Sequence, residues 1–300
     1  MRSNQQTLTF LTRRLQEIGI QPNTRHGQNF LIDLNLVRLL VDSAELDERD
    51  VVLEVGAGTG SLTAMMAERA AWVISIEIDA ALHQLAREET AEQSNVTLLH
   101  MDALKNKNNL RPEILDAVAS QVHAAPGRRF KLAANLPYNI ATPVISNLLS
   151  TPIVPSLMTV TIQKELAERI VAEPCTKDYS ALSVWVQSLC HVEIVRIMAP
   201  SVFWPRPKVD SAIIRIRPDD ALRARIPDLE FYHRHVRAMF FHRRKFLRSV
   251  LVSAYKEQLD KPAVDAVMAR LGLGPTSRAE ELSIDRILEL SEAVREALGE

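Results

Sequence analysis

The sequence predicts an α/β protein: a doubly wound, mostly parallel sheet with an antiparallel edge hairpin, followed by a smaller all-α domain. Three observations predict it. From residue 51 to about residue 171, short β-branched and aliphatic runs alternate with helical patterns, as in sheets built from βαβ units. A glycine cluster directly follows the first run. After Asp219 only helical patterns remain, so we expect a sheet domain over residues 1–218 and a helical domain over residues 219–300.

Each predicted element follows from its own pattern. Short apolar runs bounded by turn or polar residues predict five strands, at residues 51–55, 72–79, 95–102, 129–136 and 156–163. Apolar residues at helical spacing predict helices after the first and second strands and over residues 164–171. The polar region 105–128 is interpreted as a surface elaboration with one helix at 114–122. Residues 191–199 and 209–218 predict the two strands of the edge hairpin, joined by residues 201–208.

The composition is that of a globular protein without a membrane span. Apolar residues make up 47% of the chain, and no apolar run reaches the roughly 18 residues of a spanning helix. The N-terminus lacks the apolar core of a secretory signal. Its apolar spacing predicts an amphipathic helix over residues 8–18, with a transit peptide as the alternative. Cys175, at a predicted loop edge, and Cys190, in a predicted apolar helix, have no metal-ligand spacing, so we expect free thiols, no metal and a cytoplasmic protein.

Residues 54–60, EVGAGTG, place three glycines at the end of the first strand, before a helix. Such glycines permit a tight turn and a close approach of the backbone to a ligand. Glu77 ends the second strand about 20 residues later, where a carboxylate can accept from both hydroxyls of a ribose. Asp102 ends the third strand, where its carboxylate can accept from an adenine amino group. Each acid could instead cap the next helix, but the three features at successive strand ends together indicate a nucleoside-bearing cofactor.

The glycine spacing favours one class of cofactor. It is G-x-G-x-G and not the G-x-G-x-x-G of dinucleotide-binding folds, and no pyrophosphate-specific feature is present in the sequence. The pattern therefore indicates S-adenosylmethionine in preference to NAD. The sulfonium methyl group of this cofactor is already activated, so such an enzyme works mainly by placing a nucleophile in line with the methyl group.

The NLPY motif directly follows the fourth strand. If the nucleophile is the exocyclic amine of adenine, two hydrogen-bond acceptors would favour a more tetrahedral nitrogen. The side-chain oxygen of Asn135 and the carbonyl of Leu136 can supply them. Pro137 fixes the backbone and has no N–H, and Tyr138 offers an aromatic face to an unstacked base. Ordinary turn chemistry is the alternative; it explains the following helix start, capped by Thr142, but not these four residues.

Six motifs occur in a fixed order: RHGQNFLID (25–33), VLEVGAGTGSLT (52–63), SIEID (75–79), Asp102, NLPYNIATP (135–143) and FWPRPKVDSA (203–212). Together they resemble the small-subunit ribosomal RNA adenine N6-dimethyltransferases, the kasugamycin-sensitivity family. FHRRKFLRSVL (241–251) and RAEELSIDRILEL (278–290) are similar to that family's helical C-terminal domain. Each motif alone is shared with other methyltransferases, whereas the ordered set is specific and extends over most of the chain from about residue 22.

The resemblance implies a Rossmann-like class I methyltransferase sheet and a set of functional residues. The residues that match its cofactor contacts are Gln28, Asn29, Leu31, Gly56, Glu77, Ile78, Asp102, Ala103 and Asn135. The residues implied at the reacting centre are Asn135, Leu136, Tyr138 and Phe203. Of these, Tyr138 and Phe203 match the aromatic pair that sandwiches the target adenine, with hairpin packing as the alternative for Phe203.

Residues 233–250 are strongly basic and contain no acid. On one continuous helix, Arg237, Phe241, Arg244 and Arg248 would share a face, opposite an apolar face that packs inward. We therefore predict that Arg237, Arg244, Lys245 and Arg248 contact RNA phosphates. A solvated basic helix is the alternative.

The resemblance implies S-adenosylmethionine-dependent dimethylation of N6 on two adjacent adenosines in the 3′-terminal hairpin of small-subunit rRNA, within an assembling subunit. A flipped, single-stranded base is expected, because a paired adenine hides its amine. We expect a monomer. One rival is a large-subunit rRNA adenine dimethylase of the macrolide-resistance type, against which the helical C-terminal motif argues. The other is a non-catalytic assembly or RNA-binding factor, against which the intact Glu77, Asp102, Asn135 and Tyr138 argue.

Overall fold

A computed structural model of the chain describes residues 13, 28–107, 109–242 and 245–299. Except for Arg13, the predicted helix over residues 8–18 lies outside the described residues, as does Arg244. The chain forms two compact units. One contains the described residues up to Ala167 together with Glu193–Pro218, and the other contains Glu168–Val192 and the residues from Asp219 onward. Residues 168–192 thus belong to the second unit, although they precede the predicted domain boundary.

The elements occur in the following order. The strands are β1 (Phe30–Leu31), β2 (Asp50–Val55), β3 (Trp72–Glu77), β4 (Val96–His100), β5 (Leu104–Asn106), β6 (Asn109–Leu110), β7 (Arg129–Asn135), β8 (Leu157–Gln163), β9 (Cys190–Met198), β10 (Phe203–Trp204) and β11 (Ser211–Pro218). The helices are α1 (Leu34–Ser43), α2 (Ser61–Ala67), α3 (Ala80–Glu89), α4 (Pro112–His123), α5 (Ala141–Leu148), α6 (Lys164–Ile170), α7 (Ala181–Gln187), α8 (Asp220–Arg223), α9 (Leu229–Phe241), α10 (Leu247–Ala254), α11 (Lys261–Arg270) and α12 (Ile284–Leu298). No helix in the described part of the chain is long and apolar enough to cross a membrane.

Seven strands form one sheet in the order β4-β3-β2-β7-β8-β11-β9. The pairs β3–β4, β2–β3, β2–β7 and β7–β8 are parallel, and β11 is antiparallel to β8. The predicted fold class, a mostly parallel sheet with an antiparallel edge hairpin and C-terminal helices, is confirmed. The chain runs outward from β2 to β4 and then returns to β7, so the strand order reverses between β2 and β7. Ligands of such sheets bind at the carboxyl ends of the strands beside this reversal.

The central strands are buried because helices cover a doubly wound sheet on both faces. All six residues of β2 are buried, which explains its almost continuous apolar run. Two acids interrupt this run, Glu54 and Asp50, and Asp50 is fully buried at the amino end of β2. Its carboxylate is paired with Lys131 Nζ at 2.9 Å and with Arg129 at 3.0 Å. Because a buried charge must be paired, this cluster accounts for the polar residues at the amino edge of the sheet.

Two short ladders accompany the main sheet. β1 pairs antiparallel with β10, in the register Phe30 to Trp204 and Leu31 to Phe203. The sequence analysis missed this pairing, because two-residue strands carry no periodicity and the partners are far apart in the chain. β5 and β6 form a small hairpin within the elaboration predicted at residues 105–128. The predicted Thr142 cap is wrong, since α5 begins at Ala141 after Ile140.

The second unit is mainly helical and has its own aromatic core. The rings of Trp185 and Tyr232 lie 6.4 Å apart between centroids, and the Tyr232 hydroxyl is hydrogen-bonded to Ser188 at 2.6 Å. The hydroxyl of the buried Tyr179 donates to the carbonyl of Leu282 at 3.0 Å. Cys190 is buried at the first position of β9, so its predicted helical location is wrong.

The basic segment 233–250 is not one helix, which corrects the sequence prediction. α9 ends at Phe241 and α10 begins at Leu247. The backbone N–H of Leu247 donates to the carbonyl of Ser277 at 2.8 Å, and its side chain is fully buried. No glycine or proline marks this break in the sequence. A tertiary contact therefore decides where α10 begins.

Candidate active site

A cavity of about 300 Å³ lies at the carboxyl ends of the parallel strands, beside the reversal between β2 and β7. Nine of the predicted site residues line it: Gln28, Asn29, Gly56, Glu77, Ile78, Asp102, Ala103, Asn135 and Leu136. These residues come from five separate segments of the chain. The fold therefore brings together most of the residues that the sequence indicated for cofactor binding.

The glycine loop is held against β3. The backbone N–H groups of Gly56 and Ala57 both donate to the carbonyl of Ile76, at 2.8 and 2.9 Å. Gly58 has a positive φ of 56°, and a Cβ at this position would lie 3.2 Å from the ring of Phe30. A larger residue there would be strained and would displace the aromatic ring. The loop therefore requires glycine at position 58 to keep both its turn and its contact with Phe30.

Glu77 is oriented by the backbone around it. Its Oε2 accepts the N–H of Gly58 at 2.8 Å, and its Oε1 accepts those of Ile78 and Asp79 at 3.0 Å each. Burial raises the pKa of the Glu77 carboxyl, and these N–H groups oppose that rise. A carboxylate offers about four acceptor positions. Three internal donors thus fix the carboxylate and leave acceptor capacity for a ribose hydroxyl at the cavity wall.

The residues after β3 and β4 suit the base of a nucleoside. Ile78 and Ala103 both line the cavity; Ile78 is 43% exposed, whereas Ala103 is buried. An exposed large apolar side chain at a cavity wall gains by covering an apolar ring. Asp102 is exposed, and its Oδ1 accepts only the local N–H of Leu104 at 2.9 Å among the hydrogen bonds of the described residues. Two apolar contacts and one carboxylate acceptor match the faces and amino group of adenine.

Asn135 ends β7 at the cavity. Its Nδ2 donates to the carbonyl of Asn29 at 2.8 Å. A carbonyl can only accept, so this contact assigns the amide orientation and leaves the Asn135 Oδ1 as the acceptor directed elsewhere. The N–H of Leu136 donates to the carbonyl of Thr161 at 3.1 Å, which holds the following peptide against β8. The turn is therefore anchored on both sides before it reaches the cavity.

Three predicted residues lie outside the lining of this cavity. Leu31 and Phe203 face each other in the β1–β10 ladder and are 9% and 2% exposed, within the main apolar core. Tyr138 is half-buried, and its hydroxyl is hydrogen-bonded to Ser211 on β11. Burial raises the pKa of Tyr138, and the Ser211 contact opposes the rise. The stacking roles of Tyr138 and Phe203 stay predictions.

Two residues without a predicted role contribute to the site. Phe30 lines the cavity and contacts the glycine loop. Its only sequence signal was its place between Asn29 and Leu31. Glu54 is 1% exposed behind the loop, and its Oε2 accepts from the hydroxyls of Thr63 and Ser75 at 2.5 Å each. Burial raises the pKa of Glu54 to about 8.

The basic residues predicted to bind RNA belong to the helical unit. Arg237 and Lys245 are exposed, and Arg237 forms no ion pair with any carboxylate in the described parts of the chain. Arg248 donates to both carboxylate oxygens of Asp265, at 2.5 and 2.8 Å. The Arg248 guanidinium is therefore engaged within the protein, whereas that of Arg237 is available to a phosphate.

The chain is similar to known ribosomal RNA methyltransferases. The chain is 40% identical over 276 residues to a ribosomal RNA small subunit methyltransferase A of Clostridium botulinum, which covers 92% of this chain and 95% of the relative. A protein of the same description from Halothermothrix orenii is 39% identical over 265 residues, with 88% and 85% of the two chains covered.

Solved structures support the fold. A dimethyladenosine transferase from Plasmodium falciparum matches with a TM-score of 0.71 and 24% identity, over 88% of this chain and 97% of that one. The 23S rRNA methyltransferase ErmE matches with a TM-score of 0.59 and 26% identity, over 88% and 98%. Residues 19–296 match the family described as ribosomal RNA adenine dimethylase. The chain belongs to this family of ribosomal RNA adenine dimethylases and is a methyltransferase.

Proposed function

We propose that the protein uses S-adenosylmethionine to dimethylate N6 of two adjacent adenosines in the 3′-terminal hairpin of small-subunit (16S) rRNA, within an assembling subunit. The observation that carries the chemistry is the orientation of Asn135, whose Nδ2 is held by Asn29 so that its Oδ1 can accept. The small-subunit target is supported by the names of relatives that match over about nine-tenths of the chain.

The cavity fits the proposed cofactor. The membership of the protein in a methyltransferase family implies a methyl donor. Glu77 would hold the ribose, Asp102 the adenine amino group, and Ile78 and Ala103 the faces of the base. The glycine loop, with the positive φ of Gly58, allows the backbone to approach the ligand.

Bound S-adenosylmethionine supplies an electrophilic methyl group on a sulfonium. The Asn135 Oδ1 and the Leu136 carbonyl would accept hydrogen bonds from the two N–H groups of the target amine. These contacts favour a tetrahedral nitrogen with its lone pair directed at the methyl carbon. Methylation of the amine would leave S-adenosylhomocysteine as the product of the cofactor, and the proton that the amine loses would pass to solvent. Tyr138 would hold the flipped base by stacking, and Phe203 would join it only after leaving the apolar core, where it is 2% exposed.

The helical unit would supply phosphate contacts through Arg237, Arg244, Lys245 and Arg248. Arg237 and Lys245 are exposed, which supports this role most directly. Arg244 lies outside the described residues, and Arg248 would have to share its guanidinium with Asp265. We propose further that the protein is a cytoplasmic monomer.

One experiment tests the proposal against its rivals. The protein and methyl-labelled cofactor are incubated separately with undermethylated small subunits, large subunits and naked RNA, and the modified bases are mapped. We expect N6,N6-dimethyladenosine at two adjacent positions near the 3′ end of small-subunit rRNA. Label confined to large-subunit RNA would favour the macrolide-resistance type of activity. Binding of small subunits without any label would favour a non-catalytic assembly factor.

A further inference from the structure

β1 connects three parts of the site. Its preceding residue, Asn29, accepts the hydrogen bond from Asn135. Its first residue, Phe30, lines the cavity and contacts Gly58. Its ladder partner β10 carries Phe203, and the N–H of Ile32 extends this ladder by donating to Val202 at 2.9 Å. The strand is therefore placed where cofactor-binding and base-binding residues meet.

Trp204 packs against Phe30, the residue that contacts the glycine loop. The two rings are stacked, with centroids 6.5 Å apart and planes at 23°. Both rings pack on the buried Leu82 and Leu85 of α3, and Leu82 also lines the cavity. Trp204 does not itself line the cavity. Any effect of Trp204 on a ligand must therefore pass through its neighbours, of which Phe30 and Leu82 line the cavity.

Alternate residues of the β1–β10 ladder lie on opposite faces and have different surroundings. Leu31 and Phe203 point into the main apolar core and are nearly buried. Phe30 and Trp204 lie on the other face and are only half-buried. A core cluster already anchors the ladder, so the stacked pair is not needed to attach β10 to the protein. Offset aromatic pairs contribute about 0.5–1.5 kcal/mol beyond area burial and restrict ring orientation.

We infer that Trp204 is a positioning residue for the cofactor site, holding the ring of Phe30 over the glycine loop and against the ligand. The inference rests on the proposed function, because it takes the ligand to be S-adenosylmethionine. The ladder that aligns Trp204 with Phe30 also aligns Phe203 with Leu31. Trp204 would therefore connect the proposed site of the methyl donor with the proposed site of the target base.

The test uses the full chain and S-adenosylhomocysteine, the unreactive product of the cofactor. Its Kd is measured by calorimetry for the wild type, Trp204→Ala, Trp204→Phe and the matched control Trp72→Ala. Trp72 is half-buried at the amino end of β3 and bonds to Thr97, away from the cavity lining. We expect Kd to rise about tenfold in Trp204→Ala, equivalent to about 1.4 kcal/mol. The Kd values of Trp204→Phe and Trp72→Ala should stay within about threefold of the wild-type value. Trp204→Leu replaces the Ala variant if the latter does not fold.

Tryptophan fluorescence supplies a second readout that a purely structural role would not move. Titration with S-adenosylhomocysteine should change the wild-type emission in step with binding. The change should disappear in Trp204→Phe, which still binds, and in Phe30→Ala at saturating ligand. An unchanged Kd in Trp204→Ala would overturn the inference and leave the proposed cofactor standing. The same would follow if Trp204→Phe showed the emission change of the wild type. No binding by the wild type would instead overturn the proposed cofactor.

Discussion

Asn135 and Asn29 are 106 residues apart in sequence, yet the side-chain Nδ2 of Asn135 donates to the Asn29 carbonyl at 2.8 Å. This bond joins the end of β7 to the segment that enters β1. It gives the amide one orientation, with its oxygen available as an acceptor. A small change at Asn135 should consequently affect transfer much more than folding.

Asn135→Ala removes the proposed acceptor for the target amine. We expect turnover to fall by at least about 100-fold, the usual effect of losing one preorganised hydrogen-bonding group at a reacting centre. Circular dichroism and the Tm should remain close to those of the wild type, because Asn135 is only half-buried. Asn135→Asp keeps an acceptor but cannot donate to the Asn29 carbonyl, so it should also lose activity. Near-normal turnover in Asn135→Ala would contradict the amine-positioning role.

Glu54→Gln should change how stability depends on pH. Burial raises the pKa of Glu54 from 4.5 to about 8, while the hydroxyls of Ser75 and Thr63 oppose the rise and the charge of Glu77 adds to it. At a pH between these two pKa values, the Glu54 carboxyl is protonated in the folded state and ionised in the unfolded state. Wild-type stability is therefore lost as pH rises from about 4.5 to 8, by at most about 5 kcal/mol.

The glutamine variant keeps the shape and the acceptor but cannot ionise. Its Tm relative to the wild type should increase steadily from about pH 5 to pH 8 and level off above pH 8. Differential scanning fluorimetry in matched-ionic-strength buffers measures this difference. A pH-independent offset between the two proteins would show that Glu54 does not titrate in this range.

Gly60→Ala should destabilise the glycine loop. Gly60 has φ 85°, and an added Cβ would lie 2.8 Å from the Cα of Ala86, which belongs to a helix and cannot move freely. Gly127→Ala is the matched control, because Gly127 has φ 76° and nothing lies within 4 Å of the added Cβ. We expect the free energy of unfolding to fall by about 1–3 kcal/mol more in Gly60→Ala than in Gly127→Ala. If urea titrations gave equal losses of unfolding free energy for the two variants, backbone strain alone would account for the effect at both positions.

Arg237→Ala and Arg248→Ala should differ in RNA binding. Each phosphate contact contributes about 0.7–0.9 to the slope of log K against log salt. Loss of Arg237 should lower that slope by about this amount, since its guanidinium has no carboxylate partner in the described chain. Loss of Arg248 should lower it less, because Asp265 already binds Arg248. Filter binding to the 3′-terminal rRNA hairpin at several salt concentrations measures both slopes. A decrease in Arg248→Ala equal to or larger than that in Arg237→Ala would contradict the prediction.

The centre of the sheet was predictable because β2, β7 and β8 are buried on both faces and form nearly unbroken apolar runs. β2 and β8 differ from their predicted bounds by one residue at one end each. The acids and glycines at successive strand ends also met as expected, since the carboxyl ends of parallel strands share one edge. The short ladders, the break between α9 and α10 and the location of Cys190 were missed. Each depends on contacts between residues far apart in the chain.

The family, the order of the strands along the chain and the residue types that line the cavity could all be read from sequence patterns. These properties are encoded locally, in hydrophobic periodicity and in motifs at strand ends. The tertiary structure alone decided the pairing of β1 with β10, the contact of Phe30 with Gly58 and the engagement of Arg248 by Asp265. Such features arise only when the chain closes on itself, because their energies come from groups that sequence patterns do not place next to each other.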